Sequence, residues 1–197
     1  MARTSFILAA LATATLAGCV APTGPVEVTR FHVPDTRALG KGTIAVVAAP
    51  GQDAASLELR TYQAAVSRQL ALIGYSEVVA GSAGQVAEVR VGRETFRPER
   101  TRGPVSVGVG GSTGSYGSGV GLGVGIDLSG PPPAQTTTSL AVVIRDRASG
   151  SALWEGRAGF TVRADSPLAT APLGAAKMAE ALFKGFPGNS GETIEVK

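Results

Sequence analysis

The chain has 197 residues, a formal net charge of +3, one Cys and one His, and aromatic residues make up only 5% of it. This length suits a single domain, whose core we expect to consist mostly of Val, Leu, Ile and Ala. The weak positive charge argues against a nucleic-acid-binding protein, and a single Cys excludes an internal disulfide and a thiolate metal site.

The first 18 residues follow the pattern of a bacterial secretory signal. Arg3 gives a positive start, and residues 6–12 begin an apolar run that is too short for a membrane-spanning helix of about 20 residues. The sequence Leu-Ala-Gly-Cys at 16–19 then resembles the lipoprotein box, in which the Cys thiol receives a diacylglycerol. We therefore predict a signal peptide at 1–18, a lipid on Cys19 and a tether that ends at residue 25.

The residue after Cys19 indicates a location for the mature protein. It is Val20 and not Asp, which resembles the outer-membrane sorting class of enteric-type bacteria. Several acyl chains hold a protein stably where one holds it marginally, so we expect a lipid-anchored protein on the periplasmic face of the outer membrane. The alternative is a plain signal peptide that happens to end near a Cys.

Two strands and a helix are predicted in the first third of the domain. Residues 26–33 are rich in β-branched types, and residues 43–49 are apolar at successive positions, as in a strand buried on both faces. A helix follows, with Asp53 as its predicted N-cap and Gly74 just past its end. Its apolar stripe steps by three or four residues and consists of Leu59, Tyr62, Val66, Leu70 and Ile73.

A short strand is predicted at 76–80, and a half-exposed strand follows where Ala87, Val89 and Val91 alternate with charged residues. The next stretch, 93–102, is strongly charged. It contains Arg93, Arg97, Arg100 and Arg102 beside Glu94 and Glu99.

Residues 103–130 hold eleven of the 27 glycines in a regular pattern. Apolar residues alternate with Gly or Ser in 105–109 and with Gly or Asp in 120–128, so each arm is predicted to be a strand with one nearly bare face. Residues 111–118 would connect them. We expect this hairpin to pack against its own domain or a partner, because its first arm is too short to span a membrane.

The last third predicts a hairpin, a second helix and a final strand. Two strands flank the turn at 146–150, and the second places Trp154, Phe160 and Val162 on one face. Pro172 suits the first turn of the second helix, and residues 193–196 favour a last strand. The sequence thus predicts one α+β domain at 26–197. It would be a two-layer sandwich of a mainly antiparallel sheet with two helices on one face and the glycine-rich insert.

Three motifs carry a resemblance to a known family. They are Gln-Leu-Ala-Leu-Ile-Gly-Tyr at 69–75, the hairpin from Asp146 to Gly156 with its Leu-Trp-Glu-Gly, and Ala-Leu-Phe-Lys-Gly-Phe-Pro at 181–187. In this order they resemble the bacterial lipoproteins grouped as domain of unknown function 4136. The resemblance implies location and fold. It supplies no catalytic residue.

The sequence lacks the residues that a catalytic or cofactor site would need. His32 is the only His, which leaves no metal site and favours a surface or turn position. No Gly-x-Ser-x-Gly elbow is present, and the glycine-rich segment has no Lys and no following helix, so no nucleotide site is expected.

The remaining charged residues also lack a defensible site. Glu94, Glu99 and Asp127 have no partner at a catalytic spacing. The Arg cluster at 93–102 could meet anionic headgroups, but the interleaved Glu residues favour a solvated face.

The sequence therefore predicts a protein that is not an enzyme and has no cofactor. We expect a lipid-anchored envelope protein with a binding or structural role, whose partners are the membrane and an envelope protein. The alternative is a membrane-active oligomer that inserts its glycine-rich hairpins into a bilayer.

Replacing Cys19 by Ser should abolish acylation, because Cys19 is the only thiol in the chain and lies in the lipoprotein box. Cells that express either form are fed a clickable fatty acid, and the label on the purified proteins is compared. Equal label on the two forms would contradict the lipoprotein prediction.

Overall fold

The computed structural model describes residues 24–99, 105–114, 117–126 and 131–197. The predicted signal peptide, Cys19 and most of the tether lie outside these ranges. So do Arg100, Arg102 and Asp127.

Nine strands and two helices form in the described ranges. The strands are β1 Val26–His32, β2 Thr43–Ala48, β3 Ser76–Glu77, β4 Gln85–Phe96, β5 Val105–Gly114, β6 Gly117–Ile126, β7 Gln135–Asp146, β8 Ala152–Arg163 and β9 Thr193–Val196. The helices are α1 Leu57–Ile73 and α2 Ala171–Phe183. The strand predicted at 76–80 is thus shorter than expected, and a 3-10 turn follows it at Ala80–Ser82.

Seven of the strands form one mixed sheet in the order β3-β2-β4-β7-β8-β1-β9. β2 pairs in parallel with both β3 and β4, and the other neighbours are antiparallel. The prediction of a mainly antiparallel sheet was therefore wrong. The physical reason is α1, which returns the chain to the starting end of β2, so the strands that follow run in the same direction as β2.

Both helices contact each other and the strands of this sheet: α1 lies against β2 and β4, and α2 against β1 and β8. The core forms between these two layers. It includes the predicted α1 stripe, with Ile73 partly buried at its edge, and Trp154, Phe160 and Val162 of β8. These burial predictions are confirmed.

α1 begins about one helical turn later in the sequence than predicted. The N-cap is Ser56, whose Oγ accepts a hydrogen bond from the Leu59 amide at 3.3 Å. Asp53 instead accepts from the Ala55 amide at 2.9 Å, in the turn that precedes the helix. At the other end Gly74 has φ 121° and donates its amide to Leu70 and Ala71, as its predicted position past the helix requires.

Trp154 organises the end of α2. Its ring stacks on Phe183 with centroids 5.3 Å apart and tilts against Phe186 at 5.2 Å, and Nε1 donates to the Pro187 carbonyl at 3.0 Å. Gly156 lies two residues on along the same face of β8. A Cβ there would fall on the Trp154 ring and 2.8 Å from Leu182 Cδ1, so the close approach requires glycine.

Arg30 points into the core from the inward face of β1 and is only 5% exposed. Its Nε donates to the Leu182 carbonyl at 2.9 Å and Nη2 to the Ala181 carbonyl at 3.0 Å. Burial lowers the pKa of Arg30, and the charge of Glu192 partly offsets this effect. The guanidinium thus caps the end of a helix that has no basic residue in its own last turn.

β5 and β6 form a separate two-stranded antiparallel sheet. The register sets Val107 opposite Val124 and Gly108 opposite Gly123, but toward the turn this match ends and Gly111 lies opposite Val120. The strands reach Gly114 and start again at Gly117, so the predicted loop at 111–118 is too long. The first strand has 10 residues and is longer than predicted, so length alone does not exclude a spanning hairpin, although its apolar alternation ends at Val109. That this pair extends or overlies the main sheet stays a prediction.

Trp154→Ala should lower the free energy of unfolding by about 3–5 kcal/mol, because it leaves a large cavity between β8 and α2. Phe31→Ala is the matched control: Phe31 lies on the outward face of β1, half-exposed, and its loss should cost less than about 1 kcal/mol. Chemical denaturation of the soluble form measures both. Equal losses for the two variants would contradict the central position of Trp154.

Candidate functional site

The face of the sheet opposite the helices carries a shallow depression of about 490 Å³. Alternation along each strand sends apolar residues toward the helices and polar residues to this side. The side chains that line the depression come from four strands; we call the set the open face. They are Glu27 and Thr29 of β1, Thr137 and Ser139 of β7, Arg157 and Thr161 of β8, and Glu195 of β9, around Gly159.

Hydroxyl pairs bridge neighbouring strands on this side of the sheet. Thr137 and Thr161 join Oγ1 atoms at 2.8 Å, and Thr29 and Thr193 at 2.7 Å. Cross-strand Thr pairs of this kind stabilise a sheet and hold their side chains in place. Each hydroxyl still offers lone pairs to an incoming polar group.

Gly159 forms the floor of the depression. It pairs with Glu27 on one side and Ser139 on the other, and a Cβ built on it meets nothing within 4 Å. The space above it is therefore open. A larger residue at position 159 would place its side chain in that space.

The charges of the open face are mixed in sign and arranged across three strands. Glu27 and Glu195 stand directly opposite each other in the β1–β9 register, an unfavourable like-charge pair. Arg157 extends from β8 and binds the Glu155 carboxylate, with Nη2 to Oε1 at 2.6 Å. The arrangement offers carboxylates, a guanidinium and hydroxyls to a polar partner, at positions fixed by the sheet.

The chain enters the domain beside this depression. Pro25 forms part of its wall, and a Cβ on Gly24 would lie 3.7 Å from the Thr161 carbonyl oxygen. The end of the predicted tether is therefore part of the rim.

His32, the single histidine, lies at the end of β1 and is partly buried. Its Nδ1 is 2.8 Å from the Val33 carbonyl oxygen and its Nε2 is 3.2 Å from that of Gly188. The ring thus contacts the chain after α2. The sequence favoured a surface or turn position, and the structure has the residue at the strand end with part of its surface exposed. In the part of the chain that the structure describes, no carboxylate or hydroxyl is hydrogen-bonded to the ring.

The charged residues at 93–99 do not share one environment. Arg93 reaches α1 and pairs with Glu58 at 3.0 Å, while Glu94, Arg97 and Glu99 are exposed. Across the described ranges, no group of three or more His, Cys, Asp or Glu side chains could hold a metal ion. No helix in those ranges is both long and apolar enough for a membrane span.

Sequence reasoning missed the open face. The polar residues of β1, β7, β8 and β9 look like ordinary solvent-facing positions when each strand is considered alone. Only the register brings Thr137 beside Thr161 and Gly159 between Glu27 and Ser139. Within the sequence, Gly159 was the one available signal, since glycine in a strand weakens it or marks a close approach.

Comparison with known proteins gives a fold and a family. No curated protein matches the chain. The chain is similar to a PDZ domain protein from Parabacteroides distasonis at 12% identity and a TM-score of 0.50, over 88% of this chain. It spans 39% of the length of that protein, and at this identity the likeness shows the fold alone.

Two PelC dodecamer structures from Paraburkholderia phytofirmans are more distant. They share 13% and 14% identity over 80% of this chain and 96% and 97% of their own, with TM-scores of 0.42 and 0.43. These scores are too low to support a conclusion about this protein.

The family model described as "Domain of unknown function (DUF4136)" matches residues 29–188, which include the three motifs of the sequence resemblance. The predicted domain family is confirmed. This protein belongs to the DUF4136 family.

Proposed function

We propose that this protein is a lipid-anchored envelope protein of the periplasm that binds an envelope protein through the open face. The observation that carries the proposal is the polar depression around Gly159, which the helices leave uncovered. Small-molecule sites are usually deeper than this depression. A shallow surface that carries hydroxyl and charged side chains suits a macromolecular partner better.

The anchor rests on the lipoprotein box at 16–19 and agrees with the path of the chain. Gly24 and Pro25 reach the domain at its surface, at the rim of the depression. A lipid on Cys19 would thus hold the open face close to the attachment point. We place the protein at the outer membrane on the strength of Val20.

Binding is favoured over catalysis by the chemistry of the side chains. The hydroxyls of the open face bond to one another or to backbone, as Ser139 does to the Gly92 carbonyl at 3.4 Å. A nucleophile needs an adjacent base, and the His32 ring faces two carbonyl oxygens instead. Hydroxyls and charges in fixed positions serve recognition without further groups.

Gly159→Val should remove partner binding while the domain still folds, because a side chain there enters open space and fills the depression. The control is Ala141→Val, which adds methyl groups to the outward side of β7 outside the depression. We expect recovery of crosslinked partner from intact envelopes to fall by about tenfold for Gly159→Val alone, the effect of a contact of modest strength. Equal recovery with both variants would contradict the proposal.

A membrane-active oligomer is the second candidate, and one observation favours it. β5 and β6 have 10 residues each, which is within the 9–11 that a spanning strand needs. Their register pairs Val105, Val107 and Val109 with apolar residues of β6. The cost is the high glycine content, since Gly loses more backbone freedom than other residues in a strand. We therefore rank this candidate below the binding protein.

Analytical ultracentrifugation without detergent separates the two candidates. A soluble form that begins at Val20 should sediment as a monomer if the protein acts by binding through the open face. A closed ring would favour insertion of glycine-rich hairpins, because several pairs of strands are needed to line one barrel.

A further inference from the structure

One end of the domain gathers the start of the chain and the starts of both helices. Gly24 lies against the carbonyl of Thr161, which pairs with Thr137 near the beginning of β7. Phe96, the last residue of β4, pairs with Gln135 at this end. We call it the tether end.

Both helices begin at the tether end. Glu58, in the first turn of α1, binds Arg93, which pairs with Thr138. In the first turn of α2, a Cβ on Gly174 would lie 3.6 Å from Phe160 Cζ, and Phe160 also pairs with Thr138. The two helices therefore run in parallel away from this end.

Large apolar side chains are exposed at both ends of the domain. Leu57 is 76% exposed and Leu173 51%, at the first turns of α1 and α2, and Phe96 is 42% exposed beside them. Leu72 and Val79 are 79% and 77% exposed, and they lie at the opposite end, where α1 ends and β4 begins. Exposure alone does not distinguish the ends, since single exposed apolar residues are common.

The length of the tether determines which end of the domain can lie near a lipid on Cys19. Gly24 is five steps along the chain from Cys19, and an extended chain spans at most about 3.6 Å per step, or roughly 18 Å in all. The helix α1 alone separates the two ends by roughly 25 Å, because it has 17 residues that rise about 1.5 Å each. An anchored domain therefore keeps its tether end near the bilayer, and it can hold the opposite end away from it.

We propose that the tether end rests on the lipid bilayer and that Leu57 and Leu173 enter its interfacial region. This inference depends on the lipid anchor of the proposed function. The charges here are of both signs, with Arg163 paired to Asp165 at 2.8 Å and Arg93 to Glu58 at 3.0 Å. The contact is therefore apolar and does not require an anionic headgroup.

Site-specific labels test this orientation in the acylated full-length protein. Leu57→Cys and Leu173→Cys are compared with Leu72→Cys and Val79→Cys, which are at least as exposed but lie at the other end. Each carries an environment-sensitive dye and is reconstituted into vesicles of phosphatidylethanolamine and phosphatidylglycerol that contain a nitroxide lipid. We expect blue-shifted emission and loss of fluorescence at positions 57 and 173, and neither effect at 72 and 79.

Equal quenching at both ends, which a domain lying on its side would give, overturns the proposal. So does the absence of quenching at all four positions. The parent chain reports on the anchor separately: Cys19 is its only Cys, so an acylated parent takes up no dye and an unmodified parent takes up one. A labelled parent refutes the lipid anchor, whereas an unlabelled parent with the wrong quenching pattern refutes the orientation alone.

Discussion

The fold depends on how the end of α2 is fixed to the sheet. Arg30 brings a positive charge into the core from β1 and donates to the carbonyls of Ala181 and Leu182, which the helix itself leaves without partners. The same residue accepts from the Gly191 amide at 2.8 Å and lies so close to Gly188 that a Cβ there would be 2.8 Å from Nη1. Burying a guanidinium is costly, and here the helix dipole and two hydrogen bonds offset that cost. Trp154 donates a hydrogen bond to the carbonyl of Pro187, in the chain that follows α2. Arg30 and Trp154 together therefore position the connection from α2 to β9.

Much of the core could be predicted from the sequence because it depends on local periodicity. The stripe of α1 and the alternation around Trp154 each report on one element, and both lie where the pattern puts them. Arg30 could not be predicted. It shares its parity with Val26 and Val28, but its charge suggests an exposed position, and only the end of a helix 151 residues further along explains its burial. The mixed sheet was missed for a related reason, since strand direction is set by the α1 connection and not by the apolar pattern of β2 or β4.

The candidate site was harder to predict than the core because its residues come together only when four strands pair in a particular register. Thr137 and Thr161 are 24 residues apart, and each is an unremarkable polar position in its own strand. Their pairing, the opposed carboxylates of Glu27 and Glu195 and the gap above Gly159 all arise when β7, β8, β1 and β9 come together. The family model matches residues 29–188, so it covers β7, β8 and most of β1 but not β9, and its description names no chemistry. The open face is accordingly the part of the molecule that suggests a role.

The position of β1 has a mechanical consequence. It is hydrogen-bonded on both sides, to β8 through six register pairs and to β9 through four. A pull on the chain before Val26 acts along the strand, so it loads both ladders in shear and must break many hydrogen bonds together. A strand at the edge of the sheet and pulled sideways would instead open one bond at a time. The two ladders of β1 therefore resist a pull at the amino-terminal end more strongly than a single edge ladder would.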